Sequence, residues 1–133
     1  MVIHQSAEDY LETILILHER NGSVRSIDIV NELGFTKPSV SVAMKKLREN
    51  GYIRTGRDGC ITLTEQGQAV ADRIYERHRV LTCVLTAIGV DEETAAADAC
   101  KIEHDLSDRT FDKIKEYIET HRDIHSSGDD QKE

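Results

Sequence analysis

The sequence predicts a mainly α-helical protein, in which an N-terminal winged helix-turn-helix is followed by a helical second domain. Three short helical patterns precede two β-rich runs around a Gly/Asp turn, which is the element order of a winged helix-turn-helix. More helical patterns follow the hairpin. The composition agrees, because 38% of the 133 residues are hydrophobic, 32% are charged and only one is proline.

The first three helices are predicted from their caps. Ser6 is expected to cap a first helix that ends near residue 21, with carboxylates in its first turn. Ser26 is expected to cap a second, short helix. A third helix must begin at Thr36, because Pro38 is tolerated only in a first turn. Its buried stripe is predicted at Val40, Met44 and Leu47.

The rest of the chain is predicted to form a hairpin and three more helices. The β-rich runs are residues 52–55 and 60–63. Thr64 is expected to cap a long fourth helix, a fifth is predicted over residues 91–106, and Ser107 is expected to cap a sixth. The resulting domains are residues 1–64 and 65–122, followed by a disordered tail over residues 123–133.

The charge is unevenly distributed along the chain. The formal net charge is −8, yet residues 36–57 contain six basic residues and one acidic residue. A polyanion responds to the local field more than to the total charge. The basic segment covers the third helix and the hairpin, which are the parts of a winged helix that meet DNA.

The predicted DNA contacts are the outward side chains of that segment. Hydroxyl groups there can meet base edges or phosphates, apolar groups can meet a thymine methyl, and the basic groups position the domain on the backbone. Each residue taken singly could instead be an ordinary solvated surface residue. The predicted set is Thr36, Lys37, Pro38, Ser39, Ser41, Val42, Lys45, Lys46, Arg54 and Arg57.

Several classes of protein are not expected. No run approaches the ~18 consecutive apolar residues of a spanning helix, and the amino terminus does not resemble an export signal. Three scattered cysteines predict no disulfide framework. A cytoplasmic protein with no membrane partner is therefore expected.

A second constellation of residues suggests a metal site. Cys100, Glu103 and His104 are spaced i, i+3 and i+4, which places them on one face of the predicted fifth helix. Asp9 and Glu12 share a face of the first helix in the same way. Thiolate, carboxylate and imidazole are ligands of first-row divalent metals. Plainer explanations stay open. Asp9 and Glu12 could simply complement the N-terminus of a helix, Cys100 could be a small buried hydrophobic residue, and Glu103 and His104 could be a solvated pair.

Three segments resemble the diphtheria toxin repressor family, in particular its short branch typified by the manganese transport regulator. They are Ser6–Glu12, Thr36–Val40 and Ile102–Ser107, and the run Glu76–Leu81 adds to the match. The resemblance implies a homodimeric, metal-activated repressor with a winged helix and a helical metal-binding and dimerisation domain. Carried over by position, the implied metal ligands are Asp9, Glu12, His78, Cys100, Glu103 and His104.

The implied ligand set is a hybrid of the family's two types. The manganese branch has Glu at the position of Cys100, whereas the iron type has Cys there and usually has Met at the position of Asp9. Sulfur favours Fe(II), Co(II), Ni(II) or Zn(II) over Mn(II). Thr82 and Ala96 stand where the iron type has ligands of its other site, so that site is expected to be absent.

The leading hypothesis is therefore a repressor of metal-homeostasis genes that binds palindromic operator DNA, with Fe(II) or Mn(II) as corepressor. One alternative is a metal-independent winged-helix regulator that senses a small organic ligand. A third is an enzyme with Glu103 and His104 at a hydrolytic metal centre, but the sequence has no phosphate loop and no obvious nucleophile–base pair, so no enzyme is expected. The dimer contact is expected on Val80, Leu81, Val84, Leu85, Ile88, Phe111, Ile114 and Ile118, although the same residues could form ordinary core.

Overall fold

The computed structural model describes the backbone of residues 5–130 and the side chains of residues 6–121. Within this range the chain forms six helices and one two-stranded antiparallel sheet. The elements are α1 (Gln5–Asn21), α2 (Ser26–Leu33), α3 (Lys37–Glu49), β1 (Ile53–Thr55), β2 (Ile61–Leu63), α4 (Glu65–Ala87), α5 (Glu92–Ile102) and α6 (Asp108–Asp130). No helix in the described range is long and apolar enough to cross a membrane.

The chain divides into two compact units, the first ending at Tyr75 and the second beginning at Glu76. This division lies within α4, eleven residues after the predicted domain boundary at residue 64. The predicted tail begins inside α6, whose last residues have no described side chains, and residues 131–133 lie outside the described residues. Disorder of the tail therefore stays a prediction.

The first unit has the core that the periodicities predicted. Val40, Met44 and Leu47 of α3 are buried together with the apolar stripe of α1. The strands pair with Ile53 opposite Leu63. The amide of Ile61 also donates to the carbonyl of Val24 at 2.7 Å, which joins the hairpin to the segment between α1 and α2.

Two of the predicted helix starts are wrong. Ser6 lies inside α1 rather than capping it. Arg25, not Ser26, is the cap residue of α2, because the carboxylate of Asp28 accepts the backbone N–H of Arg25 at 2.8 Å and satisfies a donor from within the helix. The predicted caps at Thr64 and Ser107 are confirmed, and the structure adds a cap at Thr36; each hydroxyl accepts a backbone N–H of the helix that follows.

Helix α4 begins in close contact with the hairpin. A Cβ placed on Gly67 would lie 1.9 Å from the carbonyl oxygen of Tyr52 and 3.4 Å from a methyl carbon of Leu63. Only glycine lets the two backbones approach this closely. The hydroxyl of Thr64 secures the same junction, since it donates to the carbonyl of Gly51 at 2.6 Å.

Helix α5 is shorter than predicted, ending at Ile102 instead of residue 106. Glu103 still has helical dihedrals, and its N–H donates to the carbonyl of Ala99 at 2.9 Å. Its own carbonyl, however, accepts a side-chain N–H of Arg77 at 3.1 Å. The chain then forms a tighter turn, in which the N–H of Asp105 donates to the carbonyl of Ile102 at 3.0 Å, and Arg77 supplies a donor to the carbonyl of Glu103 that the helix no longer uses.

Candidate metal centre and nucleic-acid interface

All ten predicted DNA contacts lie in the first unit and all are exposed. They occupy the start and outer side of α3 together with the hairpin. Val42 is an apolar residue of this set that is 55% exposed in the middle of α3. Burial therefore excludes none of these residues from contact with DNA, and their role stays a prediction.

The hydroxyl of Thr36 makes local contacts at the start of α3. Its Oγ1 accepts the backbone N–H of Ser39 at 3.2 Å, and its hydroxyl donates to the Ser39 hydroxyl at 2.8 Å. Both groups are thus engaged with each other at the start of α3. This pair has a local structural role, because it satisfies a helix-terminal donor that would otherwise need water or a ligand.

Three of the predicted metal ligands meet in the second unit. One ligand atom each of His78, Cys100 and Glu103 lies within 4.8 Å of the other two. The Nδ1 of His78 lies 2.9 Å from Oε2 of Glu103. Helix α4 supplies the imidazole, α5 supplies the thiol two residues before its end, and the carboxylate follows directly after α5.

The burial of Glu103 is the strongest indication that these residues can hold a cation. Its side chain is fully buried, and Oε1 accepts no hydrogen bond in the described part of the chain. The Nε2 of the neighbouring His104 lies 3.4 Å from that oxygen. A buried carboxylate oxygen without a donor is costly unless a cation faces it. The donor set therefore fits a divalent transition metal.

Hydrogen bonds to Cys100 and Glu103 raise the pKa of His78 to about 10. The protonated imidazole lies beside a thiol and a carboxylate, and a metal ion bound to these three groups would take the place of its proton. Cys100 is exposed, which is contrary to the alternative of a small buried core residue. It is therefore accessible as a ligand.

The remaining predicted ligands are His104, Asp9 and Glu12. His104 was predicted on the face of α5. It lies beyond the end of that helix, because α5 ends at Ile102. Asp9 and Glu12 belong to α1 in the first unit, where Glu12 is buried and Asp9 half-buried. Nothing in the spacing indicated the role of Arg77, which is buried beside His78.

Two family models match the chain along nearly its whole length. Residues 3–60 match the iron-dependent repressor N-terminal DNA-binding domain, and residues 64–129 match the iron-dependent repressor metal-binding and dimerisation domain. The chain belongs to the iron-dependent repressor family. Its members are metal-dependent transcriptional repressors. Membership therefore supports the leading hypothesis over the alternative of a metal-independent regulator that senses an organic ligand.

Similar proteins agree with membership of the iron-dependent repressor family. The HTH-type transcriptional regulator MntR of Bacillus subtilis is 35% identical over 114 residues, covering 86% of this chain and 80% of the relative. An uncharacterized HTH-type transcriptional regulator of Methanocaldococcus jannaschii is 36% identical over 121 residues, covering 90% and 97%. These relatives are named as transcriptional regulators.

Solved structures give the same fold. A manganese-dependent transcriptional repressor in complex with manganese superimposes with a TM-score of 0.78 at 28% identity, over 84% of this chain and 52% of that one. A hypothetical protein from Sulfolobus solfataricus superimposes with a TM-score of 0.67 at 23% identity, over 87% and 89%. The chain thus spans about half the length of the manganese-dependent repressor.

The predicted dimer contact is partly ordinary core. Leu81 and Phe111 are buried within the chain itself, so they are not available to a partner. Ile88 is 73% exposed at the end of α4, and Tyr117 is 61% exposed on α6. A groove of about 430 Å³ lies beside Tyr117 and is lined by Val84, Arg109, Thr110, Lys113 and Ile114. Apolar surface for the family's dimerisation is thus present on these two helices.

Proposed function

We propose that this chain is a homodimeric, cytoplasmic repressor that binds palindromic operators of metal-homeostasis genes when a divalent metal is present. The convergence of His78, Cys100 and Glu103 within 4.8 Å carries the proposal. The fully buried carboxylate of Glu103 has an oxygen that a cation would satisfy. The proposed corepressor is Fe(II) or Mn(II), and the thiol of Cys100 favours Fe(II) over Mn(II).

We further propose that Asp9, Glu12 and His104 complete the ligand set. Three carboxylates and a thiolate repel one another when they are brought together without a cation. When bound, the metal supplies the positive charge that neutralises them. The expected consequence is that α1, which belongs to the DNA-binding unit, becomes fixed to the residues around the end of α5.

Fixing α1 would set the spacing of the two α3 helices in the dimer. A palindromic site presents its half-sites about 34 Å apart, one helical turn of DNA. We expect the ten exposed residues of α3 and the hairpin to contact the groove and the phosphates. A coupling of about 1–3 kcal/mol between metal and DNA would change affinity about 5–150-fold.

The test uses DNA selected by the protein itself. Wild-type protein is incubated with duplexes carrying a random central segment in the presence of Mn(II) or, anaerobically, Fe(II). The selected duplex is then titrated with metal-free and metal-loaded protein. We expect a palindromic site and at least 5-fold tighter binding with metal. Equal affinity of the two forms would contradict the proposal.

An enzymatic role is not part of the proposal. The relatives are transcriptional regulators, and a catalytic metal needs an open coordination position facing a substrate cleft. Steady hydrolysis of a phosphate or peptide ester by the purified metal-loaded protein, abolished by Glu103→Gln, would favour the enzyme instead.

A further inference from the structure

We propose that Arg77 is a positioning residue for the metal site, because it clamps the turn that carries Glu103. The proposal rests on the proposed function, since the position of Glu103 matters to sensing only if Glu103 binds the metal. Arg77 itself contacts no ligand atom of the site. Its effect passes through the backbone of the segment between α5 and α6, residues 103–107.

Arg77 is unusual in its burial. Only 4% of the residue is exposed, whereas arginine is almost never fully buried unless it is paired. It lies on α4 directly before His78. A guanidinium in this environment needs nearby groups to compensate its charge. The two terminal nitrogens of Arg77 have partners, whereas its Nε is buried without a hydrogen bond to any described residue.

The groups that satisfy Arg77 all lie in a short stretch of chain. Nη1 donates to the carbonyl of Glu103 at 3.1 Å and to the carbonyl of Leu106 at 2.7 Å. Nη2 pairs with the carboxylate of Asp108 at the start of α6. The guanidinium carbon lies 5.2 Å from the ring centroid of Phe111, within cation–π range.

These contacts fix the place where α5 ends. The carbonyl of Glu103 points to Arg77, while its N–H is held by the carbonyl of Ala99 at 2.9 Å. The backbone of Glu103 is thereby restrained on both sides. Its carboxylate then meets the imidazole of His78 at 2.9 Å. Two consecutive residues of α4 therefore hold Glu103. Arg77 contacts the backbone carbonyl of Glu103, and His78 contacts its carboxylate.

Lysine could not replace Arg77 in this arrangement. The planar guanidinium presents its donors in a fixed fork, which reaches two carbonyls and a carboxylate at the same time. An ammonium group would keep the charge but lose the simultaneous contacts. We therefore expect Arg77→Lys to fold while Glu103 loses its fixed position.

The test measures Co(II) binding to the full chain. Co(II) bound to a thiolate gives a charge-transfer band and visible bands whose shapes report the coordination geometry. We expect Arg77→Lys to bind Co(II) about 10–100-fold more weakly than wild type, as for other groups that orient metal ligands, and with altered visible bands. Arg109→Lys is the matched control, since Arg109 is an exposed arginine of the same unit. It should bind Co(II) as wild type does.

The outcomes separate three cases. If wild type shows no thiolate band with Co(II), the proposed function fails. If wild type binds but folded Arg77→Lys has the same affinity and the same bands, the positioning role of Arg77 is overturned. Circular dichroism of the metal-free variants establishes folding.

If Arg77→Lys does not fold, Co(II) binding to Asp108→Asn tests the positioning role of Arg77. This substitution removes the charged partner of Arg77 at a side chain that is 76% exposed, so the fold should tolerate it. Weaker Co(II) binding with altered bands supports the clamp, whereas wild-type affinity and bands overturn it.

Discussion

The Nδ1 of His78 and Oε2 of Glu103 lie 2.9 Å apart, although 25 residues separate them along the chain. The imidazole comes from the middle of a long helix and the carboxylate from the turn after the next helix. The thiol of Cys100 completes a set of three ligand types within 4.8 Å. This arrangement predicts both the metal preference and the pH response of the protein.

Replacing Cys100 by glutamate should change the metal preference. A carboxylate in place of the thiolate makes the site harder, so affinity for Co(II) and Zn(II) should fall relative to affinity for Mn(II). The thiolate-to-Co(II) charge-transfer band should vanish. Competition titrations with a chromophoric chelator measure the affinities. Cys83→Ser, an exposed cysteine on α4, is the control and should retain both the band and the preference. An unchanged ratio of Co(II) to Mn(II) affinity in Cys100→Glu would count against Cys100 as a ligand.

The metal-free protein should lose the stabilising contribution of His78 as the pH rises. Hydrogen bonds to Cys100 and Glu103 raise its pKa from 6.5 to about 10, so the folded state binds this proton more tightly than the unfolded state. The contribution is therefore complete below pH 6.5 and is lost as the pH rises through about 10. Urea unfolding under reducing conditions should show wild type losing its advantage over His78→Gln across this range. A difference in unfolding free energy that is constant with pH would contradict this assignment, and exposed His18→Gln should unfold as wild type does.

Metal binding should displace the same proton. At pH 7.5 the imidazole of His78 is protonated in the metal-free protein, because its pKa is about 10. An imidazole must be neutral to bind a metal, so one proton from His78 should leave for each Zn(II) bound. Calorimetry in buffers of different ionisation enthalpy counts the released protons. The affinity for Zn(II) should rise with pH, and binding without proton release would show that His78 does not bind the ion.

The hydroxyl of Thr36 should stabilise the start of α3. Removing its hydroxyl leaves the N–H of Ser39 without its cap, so Thr36→Ala should lower the free energy of unfolding by about 1 kcal/mol. Thr36→Ser keeps the cap and should behave as wild type in thermal unfolding. Ser41→Ala, at an exposed position within α3, is the control for loss of a hydroxyl. If Thr36→Ala and Thr36→Ser are equally stable, the cap has no energetic role.

Arg57 should act on the phosphate backbone rather than on the base sequence. Its side chain lies in the exposed turn between β1 and β2. Arg57→Ala should weaken binding to the selected duplex and to unrelated duplexes alike, and should reduce the slope of log K against log salt by about 0.9. Fluorescence anisotropy across a salt series measures the slope. An unchanged slope would remove Arg57 from the interface. Arg20→Ala, at an exposed arginine of α1 outside the ten predicted contacts, should leave the slope as it is in wild type.

Local signals in the sequence were enough to predict most of the fold. The predicted caps at Thr64 and Ser107 were correct, because a hydroxyl before a helix satisfies a free backbone N–H of its first turn. The start of α3 was correct because proline is tolerated only in the first turn of a helix. The predicted buried stripe of α3 is also confirmed, because the period of a helix determines which side chains share a face. The family resemblance is confirmed by both family models.

Errors arose where a side chain satisfies a backbone group that cap preferences and periodicity do not indicate. The segment after Ile102, which was predicted to be helical, is a turn whose carbonyls accept donors from Arg77, 26 positions before Glu103, and no local pattern reports such a contact. Cap identity at α2 was wrong because Asp28 satisfies the backbone of Arg25 from inside the helix. For the metal site, the sequence predicted His78, Cys100 and Glu103 together, but it could not show that Glu103 would be fully buried with an oxygen lacking a donor.

Gly67 has a consequence for how random variants of this chain are interpreted. With a Cβ there only 1.9 Å from the carbonyl oxygen of Tyr52, alanine and every larger residue push the start of α4 away from the hairpin. A screen for lost repression would therefore recover position 67 alongside true contact residues. Such a hit would report faulty assembly of the wing, and refolding yield rather than operator affinity would tell the two apart.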